Sequence, residues 1–368
     1  MDICFRWNRK NTYSIAALVP LIPEGRRVKQ PCDGIMIYSF ATRQAEAVFR
    51  EVENAGTDSV FIAGGPHPSG ATEQTLEYFD YVVLGEGEET LPELIATVAS
   101  GKDVSGVNGI AYKDSRGNVV HTDVRDPVDL NMYPCFDPDI VMAPLEISRG
   151  CPFRCKYCQT PRLFGNTMRH RSIDSIKRFS KYYKDIRFTS SNALAYGSDG
   201  IHPRYDKVEK LLRELYECGD RNIFFGTFPS EVRPEFVSTE GLELITKYCS
   251  NDKLSLGAQS GSERILKEIH RGHTVDDITN GIEVCFEHGI TPVVDFMVGF
   301  PGETAHDQDM SLGLIKWICK KGGHIHSHYM TPLPGTPYEN CIPSPVSDRY
   351  RRTMGKMALR GKVTGCWE

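Results

Sequence analysis

Three cysteines lie close enough in the sequence to hold one metal centre. Cys151, Cys155 and Cys158 fall within eight residues, so their thiolates can face a common point. Soft thiolate ligands select zinc or iron–sulfur clusters. Structural zinc normally has four ligands, often arranged as two pairs, and no fourth ligand is evident nearby in the sequence. A cluster with three cysteine ligands leaves one iron open for chemistry, so this segment predicts a catalytic iron–sulfur site.

The cysteine loop directly follows the first of six predicted strands. Apolar runs predict these strands at 145–148, 186–189, 223–226, 254–257, 293–297 and 325–330. Amphipathic stretches between them predict helices, and Thr274 with Asp277 three residues later forms a capping-box pattern. Six strand–helix units favour a partial (β/α)6 TIM-like barrel, in which catalytic residues sit at the carboxyl ends of the strands. The cysteine loop occupies such a position.

The residues before the barrel predict a separate α/β domain with a Rossmann-like, doubly wound sheet. Its predicted strands are 35–38, 60–63 and 81–84, followed by a hairpin of 109–112 and 119–122. Short apolar runs separated by helices favour a parallel sheet covered on both faces. The predicted division of the chain is 1–125 for this domain, 126–144 for a proline-rich linker, 145–346 for the barrel and 347–368 for a C-terminal tail.

Composition and charge argue against several classes of protein. The 12 cysteines, three of them clustered, indicate metal binding or catalysis in a reducing compartment rather than a disulfide scaffold. With 43 basic and 48 acidic residues, no basic excess favours nucleic-acid binding. No apolar stretch approaches the ~20 residues that span a bilayer. Pro20 and the charged residues after it argue against a signal peptide. We therefore expect a cytoplasmic protein without a membrane or nucleic-acid partner.

The C-x3-C-x2-C spacing of the three cysteines resembles that of the radical S-adenosylmethionine (SAM) superfamily. Tyr157 matches the aromatic residue that precedes the third cysteine and packs near the adenine in that family. Further segments resemble motifs of the same group, at 257–262, 271–274, 298–304 and 332–337.

The resemblance to the superfamily implies a mechanism. It implies that the three cysteines hold a [4Fe-4S] cluster whose open iron binds SAM. One electron, from a donor such as ferredoxin or flavodoxin, would cleave SAM to a 5′-deoxyadenosyl radical that abstracts hydrogen from substrate.

The resemblance also implies SAM contacts outside the cysteine loop. Many members carry a Gly-Gly-Glu motif after the second strand, whereas this chain has hydroxyls and an amide at Ser190, Ser191 and Asn192. Arg233 could hold the SAM carboxylate as a fork, the alternative being an ordinary salt bridge. The expected SAM contacts, besides Tyr157, are Ser190, Asn192, Arg233, Gln259, Ser260 and Gly299.

Ser39, Gly64 and Gly65 follow two predicted strands of the first domain. Both places would lie at the carboxyl edge of the sheet, where open α/β folds bind ligands. The arrangement resembles the cobalamin-binding domain that precedes many radical SAM barrels, which implies that these residues cradle the nucleotide tail of cobalamin. The D-x-H-x-x-G motif that supplies a cobalt ligand is absent, as it is in several relatives thought to bind cobalamin without that ligand. The alternative is a domain that only packs on the barrel.

Three histidines, His324, His326 and His328, alternate along the last predicted strand and therefore share a face. They could bind a metal. The simpler interpretation, which we favour here, is that they line the barrel interior near substrate or are satisfied by neighbouring groups.

The sequence thus favours a radical SAM enzyme that transfers a methyl group with cobalamin, but two other functions stay open. A methylthiotransferase resembles segment 259–274 closely, yet such enzymes carry three more cysteines in an N-terminal domain and usually end in an RNA-binding β-domain. Cys4, Cys32 and Cys135 do not reproduce that spacing, and the residues after Val346 are too few for the β-domain. The other alternative is a non-catalytic iron–sulfur or metal-binding protein. The substrate, whether a small molecule or not, is not identified by the sequence.

Overall fold

The computed structural model describes residues 1–367, which divide into two compact units. Unit 1 consists of residues 1–143 together with the short segments 162–165 and 333–336. Unit 2 consists of 144–161, 166–332 and, within the described residues, 337–367. Each unit has its own sheet and its own hydrophobic core.

Seven strands form the sheet of unit 1, in the order β2-β1-β3-β4-β5-β6-β7. They are β1 (Ile3–Arg6), β2 (Arg26–Val28), β3 (Gly34–Ser39), β4 (Ser59–Gly64), β5 (Tyr81–Val83), β6 (Ile110–Lys113) and β7 (Val119–His121). The first five strands in this order are parallel, and β6 and β7 extend the sheet antiparallel. The order β2-β1-β3-β4-β5 is that of flavodoxin-like sheets, which bind ligands beyond the carboxyl ends of the strands where the order reverses, here between β1 and β3.

Helices cover both faces of this sheet, as the sequence predicts for a doubly wound domain. They are α1 (Thr12–Leu18), α2 (Ala45–Glu53), α3 (Pro66–Gly70), α4 (Thr72–Thr75) and α5 (Thr90–Ala99). Successive residues of a strand point to opposite faces, so β3 serves two cores. Ile37 packs with Leu94 of α5 on one face, and Tyr38 packs with Phe49 of α2 on the other.

The strands β1 and β2 are missing from the sequence-based prediction. The apolar part of β1 is only Ile3–Phe5, and polar residues follow it. In β2, Arg26 and Arg27 are exposed, so no buried apolar run marks the strand. It exists because its backbone pairs with β1 across the helix α1, and a non-local pairing of this kind leaves no periodicity in the sequence.

The strands of unit 2 follow one another around a partial barrel. They are β8 (Leu145–Glu146), β9 (Ser148–Arg149), β10 (Arg169–His170), β11 (Asp185–Thr189), β12 (Asn222–Phe224), β13 (Lys253–Gln259), β14 (Thr291–Val298), β15 (His324–Tyr329) and β16 (Val363–Cys366). The parallel order is β8-β11-β12 and then β13-β14-β15-β16. A bridge between Val232 and Leu256 joins the two groups. The six predicted barrel strands are all confirmed.

Helices alternate with these strands. They are α6 (Thr160–Phe164), α7 (Ile173–Ser180), α8 (Tyr205–Tyr216), α9 (Thr239–Tyr248), α10 (Glu263–Glu268), α11 (Val275–Glu287), α12 (Ala305–Lys321) and α13 (Asp348–Ala358). The predicted capping box of Thr274 and Asp277 is confirmed at the start of α11. Within residues 1–367, no helix combines the length and the apolar character that crossing a membrane requires.

Two segments differ from the sequence-based division of the chain. Residues 347–367, expected as a tail, form α13 and then β16, which pairs in parallel with β15 and so extends the barrel sheet. Residues 126–143, expected as a linker, pack within unit 1. The Val128 N–H donates to Glu86 (2.8 Å), and the Tyr133 hydroxyl donates to Glu89 (3.1 Å). Apolar side chains between the prolines, including the buried Phe136, account for this packing.

Candidate active site

The cysteine loop follows β9 and is fixed by hydrogen bonds along its length. The Ser191 hydroxyl, after β11, donates to the carbonyl of Gly150 (2.7 Å). The Lys156 N–H donates to the carbonyl of Ile269 (3.0 Å) at the end of α10. The loop therefore rests on the ends of two other barrel segments, which holds its three thiols at the carboxyl edge of the strands.

The thiols of the loop do not close on a single ion. Among the described residues, the one set of three His, Cys, Asp or Glu ligand atoms that all lie within 4.8 Å of one another is elsewhere, at Asp295, His326 and His328. Thiolates of a zinc site would be drawn together by Zn–S bonds of about 2.3 Å. The wider spacing of Cys151, Cys155 and Cys158 does not fit a structural zinc ion and fits a larger cluster.

A buried arginine, Arg271, lies beside Cys155, the most buried of the three cysteines in the loop. Arg271 donates through Nη1 to Cys155 Sγ (3.9 Å) and through Nη2 to the carbonyl of Gly257 (2.7 Å). Burial raises the pKa of the Cys151 thiol, and the nearby Arg233 acts against that rise. Two guanidinium groups thus offset the negative charge that three thiolates would place here.

Arg233 is held by protein groups on most of its donors. Its Nε donates to Glu235 Oε1 (2.5 Å), its Nη2 donates to the carbonyl of Arg271, and its guanidinium lies 3.4 Å from the centre of the Phe153 ring. The edge that would grip a carboxylate as a fork is therefore occupied, and this geometry matches the salt-bridge alternative. The pKa of Glu235 reflects two opposing effects. Burial opposes its charge, yet His273 and Arg233 outweigh burial and lower its pKa to about 2.

Asn192 offers an unused donor next to the cysteine loop. The Ser190 hydroxyl donates to the Asn192 carbonyl (3.0 Å), which fixes the turn after β11. The side-chain oxygen of Asn192 accepts from the Arg233 N–H (3.4 Å). Its buried Nδ2 has no hydrogen-bond partner within the described chain. A buried unpaired donor is costly unless a ligand satisfies it, so Asn192 fits the predicted contact to a cofactor better than Ser190 does.

The fourth-strand candidates differ in their availability. Gln259 has a left-handed backbone (φ 69°) at a bulge of β13, which turns its side chain toward Gly257. Ser260 is fully buried, and its hydroxyl accepts from the Ser262 N–H (3.1 Å) and contacts the Ser311 hydroxyl (3.4 Å). These contacts make Ser260 a support for the turn into α10.

The fifth-strand candidate Gly299 supports the site through its neighbours. It has φ 93°, and a Cβ there would lie 2.5 Å from the Tyr329 ring. Its N–H donates to Glu303 (2.5 Å). The ring of Tyr157 packs 5.5 Å from that of Phe300, the next residue. The glycine thus lets the end of β14 pass the Tyr329 ring, and Phe300 positions the aromatic residue of the cysteine loop.

Three charged residues, Arg271, Glu231 and Asp295, share the inner barrel face. The resemblance to the superfamily places Glu231 where SAM contacts usually arise, but the sequence-based prediction gives no role to Arg271 or Asp295. A Cβ on Gly257 would lie 2.7 Å from Arg271 and 2.9 Å from Glu231, so both side chains fill the space over β13. Asp295, the register partner of Gly257, is hydrogen-bonded to Glu231. Burial and the neighbouring Glu231 raise the pKa of Asp295. An aspartate inside an apolar strand was the one available signal.

Unit 1 places its predicted site residues at the carboxyl edge of β3 and β4. Ser39 pairs with Gly64 in register. Gly65 has φ 95°, and a Cβ there would lie 2.8 Å from the Ser39 hydroxyl. Only glycine therefore fits at position 65, because any side chain there would collide with the Ser39 hydroxyl. His67 is buried between Phe40 and Phe49, with ring centroids 5.7 Å from each, as expected of a fixed structural residue.

Two family models match the chain. Residues 145–339 match the model of the radical SAM superfamily, and residues 28–95 match the model of the B12 binding domain. The first match covers all six predicted barrel strands, and the second begins at the end of β2 and ends within α5.

Several known proteins are similar to this chain. An uncharacterized methyltransferase of Pyrococcus horikoshii is 24% identical over 324 residues, which cover 82% of this chain and 67% of the relative. A putative methylthiotransferase of Methanocaldococcus jannaschii is 28% identical over 241 residues, which cover 62% of this chain and 51% of the relative. The radical SAM methyltransferase TsrM from Kitasatospora setae, solved with cobalamin and a [4Fe-4S] cluster bound, has a TM-score of 0.69 at 15% identity, covering 91% of this chain and 73% of that chain.

Proposed function

The chain belongs to the radical SAM superfamily, and from this we propose that it is a cobalamin-dependent radical SAM enzyme that transfers a methyl group to a small-molecule substrate. One observation carries the proposal. The same chain joins a barrel with a three-cysteine loop at its carboxyl edge to a flavodoxin-like sheet whose residues 28–95 match the B12 binding domain. The fold of TsrM, a methyltransferase with both groups bound, supports it.

In this proposal Cys151, Cys155 and Cys158 hold the cluster. With SAM and cobalamin bound, these groups supply radical chemistry and a transferable methyl group. Arg271 offsets the thiolate charge. The hydrogen bonds from Ser191 to Gly150 and from Lys156 to Ile269 keep the loop rigid. A one-electron donor of the ferredoxin or flavodoxin type is part of the proposal.

The remaining predicted contacts also belong to the proposal. Asn192 would bind SAM through its unpaired amide, and Tyr157 would pack beside the adenine. In unit 1, Ser39, Gly64 and Gly65 receive the nucleotide tail of cobalamin at the carboxyl edge of β3 and β4. The histidine that follows β4, His67, is not a cobalt ligand in this proposal, because its ring is buried between Phe40 and Phe49.

A methylthiotransferase is the second candidate, favoured by the Methanocaldococcus jannaschii relative. That reaction transfers sulfur as well as carbon, and enzymes of that type hold a second cluster with three N-terminal cysteines. Here Cys4 and Cys32 lie with their sulfurs 2.9 Å apart, as a hydrogen-bonded pair. A methyl product without added sulfur separates the two candidates.

The test is anaerobic reconstitution followed by measurement of iron, retained cobalamin and 5′-deoxyadenosine. We expect Cys155→Ala to lose iron and to stop release of 5′-deoxyadenosine, because one ligand of the cluster is gone. Cys218→Ala, a half-buried cysteine after α8, is the matched control and should behave as wild type. A Cys155→Ala protein that keeps its iron and still cleaves SAM would refute the assignment.

A further inference from the structure

Asp295 of β14 and the pair His326 and His328 of β15 form a cluster of potential metal ligands away from the cysteine loop. One ligand atom from each of the three lies within 4.8 Å of those of the other two. Asp295 is the register partner of His326, and the rings of His326 and His328 are 4.4 Å apart and nearly perpendicular. This set of side chains is typical of a metal site, since two imidazoles and a carboxylate converge on one point.

The alternation of the two strands places this cluster on the inner face of the barrel. Val294, Phe296 and Ile325, which are interleaved with the three residues, are buried on the opposite face. The cluster residues are only half-buried. Their face also carries Gly257 and the Glu231 side chain above it. An ion bound here would therefore be accessible to a substrate in the barrel.

The hydrogen bond of His326 through Nδ1 leaves the lone pair of Nε2 to bind a metal. The Thr364 hydroxyl of β16 donates to the Ile325 carbonyl (3.3 Å), so its oxygen accepts from His326 Nδ1–H at 2.8 Å. The lone pair of His326 is then on Nε2. Metal-binding histidines commonly donate their other N–H in this way, which fixes the tautomer and orients the ring.

The carboxylates provide the second argument. The Glu231 side chain lies over Gly257, the register partner of Asp295, so a second carboxyl group faces the same part of the barrel. Arg271 acts on this pair but also donates to Gly257 and Cys155. A divalent ion held by Asp295 would also be attracted by the negative charge of the Glu231 carboxylate.

We propose that Asp295, His326 and His328 bind a divalent transition-metal ion on the inner face of the barrel, beside Glu231. Two imidazoles with carboxylates suit zinc, ferrous iron or cobalt better than magnesium or calcium, which prefer oxygen ligands alone. A remaining coordination position would bind an oxygen or nitrogen atom of the substrate and orient it. The site is independent of whether the enzyme transfers a methyl group.

The test is equilibrium dialysis of the full-length, cluster-reconstituted protein against Zn²⁺, followed by measurement of zinc and iron per chain. We expect one zinc beyond the cluster in wild type. His328→Ala should lose it while iron content and melting temperature stay as in wild type. His324→Ala removes a histidine of the same strand and face that is outside the cluster, so it should keep the zinc.

Two conservative variants guard against a folding defect. Asp295→Asn keeps the shape of the side chain and should weaken zinc binding. Thr364→Val should weaken it by about tenfold to a hundredfold, the usual cost of losing an outer partner of a metal-bound histidine. The proposal is overturned if wild type binds no additional zinc, or if His328→Ala and Asp295→Asn bind it as tightly as wild type and His324→Ala do.

Discussion

At the scale of single residues, Glu303 combines a structural contact with an unusual protonation equilibrium. Its carboxylate accepts the Gly299 N–H at the turn that ends β14. The side chain is only 6% exposed. Burial raises its pKa to about 7, and the hydrogen bond from Gly299 acts against that rise without cancelling it. The turn at Gly299 precedes Phe300, which packs against Tyr157 of the cysteine loop. This turn therefore depends on a carboxyl group that changes charge near neutral pH.

We expect Glu303→Gln to remove one pH dependence of stability. The folded-state pKa is raised from 4.5 to about 7, so the contribution of this group is fully present below pH 4.5 and is lost as the pH rises through 7. The full loss corresponds to roughly 3 kcal/mol. As the pH is raised from about 5 to 8, the melting temperature of the wild type should fall relative to that of the variant.

Glu53→Gln, at the exposed end of α2, is the matched control for that comparison. It removes a carboxyl group of the same type without removing a buried one. Curves for Glu303→Gln and wild type that stay parallel over this pH range would contradict a raised pKa at Glu303.

At the scale of elements, two capping boxes begin the helices α11 and α12. Thr274 with Asp277 and Thr304 with Asp307 show the same reciprocal pair of hydrogen bonds. Asp307 does more than cap α12, because it also accepts from the Ser262 hydroxyl (2.7 Å) and from Arg264 at the start of α10. The helices α10 and α12 thus share one buried carboxylate.

We expect Asp307→Ala to destabilise the protein more than Asp277→Ala does. Loss of a cap alone costs about 1 kcal/mol, which is the expected effect of Asp277→Ala. Asp307→Ala also leaves Ser262 and Arg264 without their acceptor, for a total of about 3 kcal/mol. Denaturant unfolding of both variants measures the difference. Equal losses would mean that the contacts to α10 contribute nothing.

At the scale of the whole molecule, the sequence predicts those elements whose signals are local. The strand predicted at 293–297 is observed as Thr291–Val298, since apolar residues make up most of its length. The strand β16 was not predicted, because only Val363 of its four residues is buried and its pairing partner lies far away in the sequence.

The site divides in the same way. The three cysteines are adjacent in the sequence, so spacing alone predicts them. Arg271, Glu231 and Asp295 come from three different strand–helix units, and only tertiary structure brings them over Gly257. Arg233 was predicted to bind the SAM carboxylate with two N–H groups. Its donors are instead bonded to Glu235 and to the Arg271 carbonyl, and no local sequence pattern indicates these partners.

The two units should hold their cofactors separately. We expect Gly65→Ala to reduce retained cobalamin, because the added methyl group lies 2.8 Å from the Ser39 hydroxyl, and to leave iron content unchanged. Gly56→Ala is the matched control, since it also has a positive φ but nothing lies within 4 Å of the added methyl group. Iron and cobalamin are measured after removal of unbound cofactor. Equal cobalamin in both variants would place its nucleotide tail elsewhere.

The alternation of β14 and β15 has a consequence for how this chain can diversify. Positions on the inner face carry half-buried side chains, among them Asp295 and the three histidines, whereas the positions between them are buried. Substitutions that leave the buried core unchanged usually cost less stability than substitutions that alter it. Evolution or a protein engineer can therefore exchange the inner side chains for new specificities while the alternate positions keep the scaffold folded.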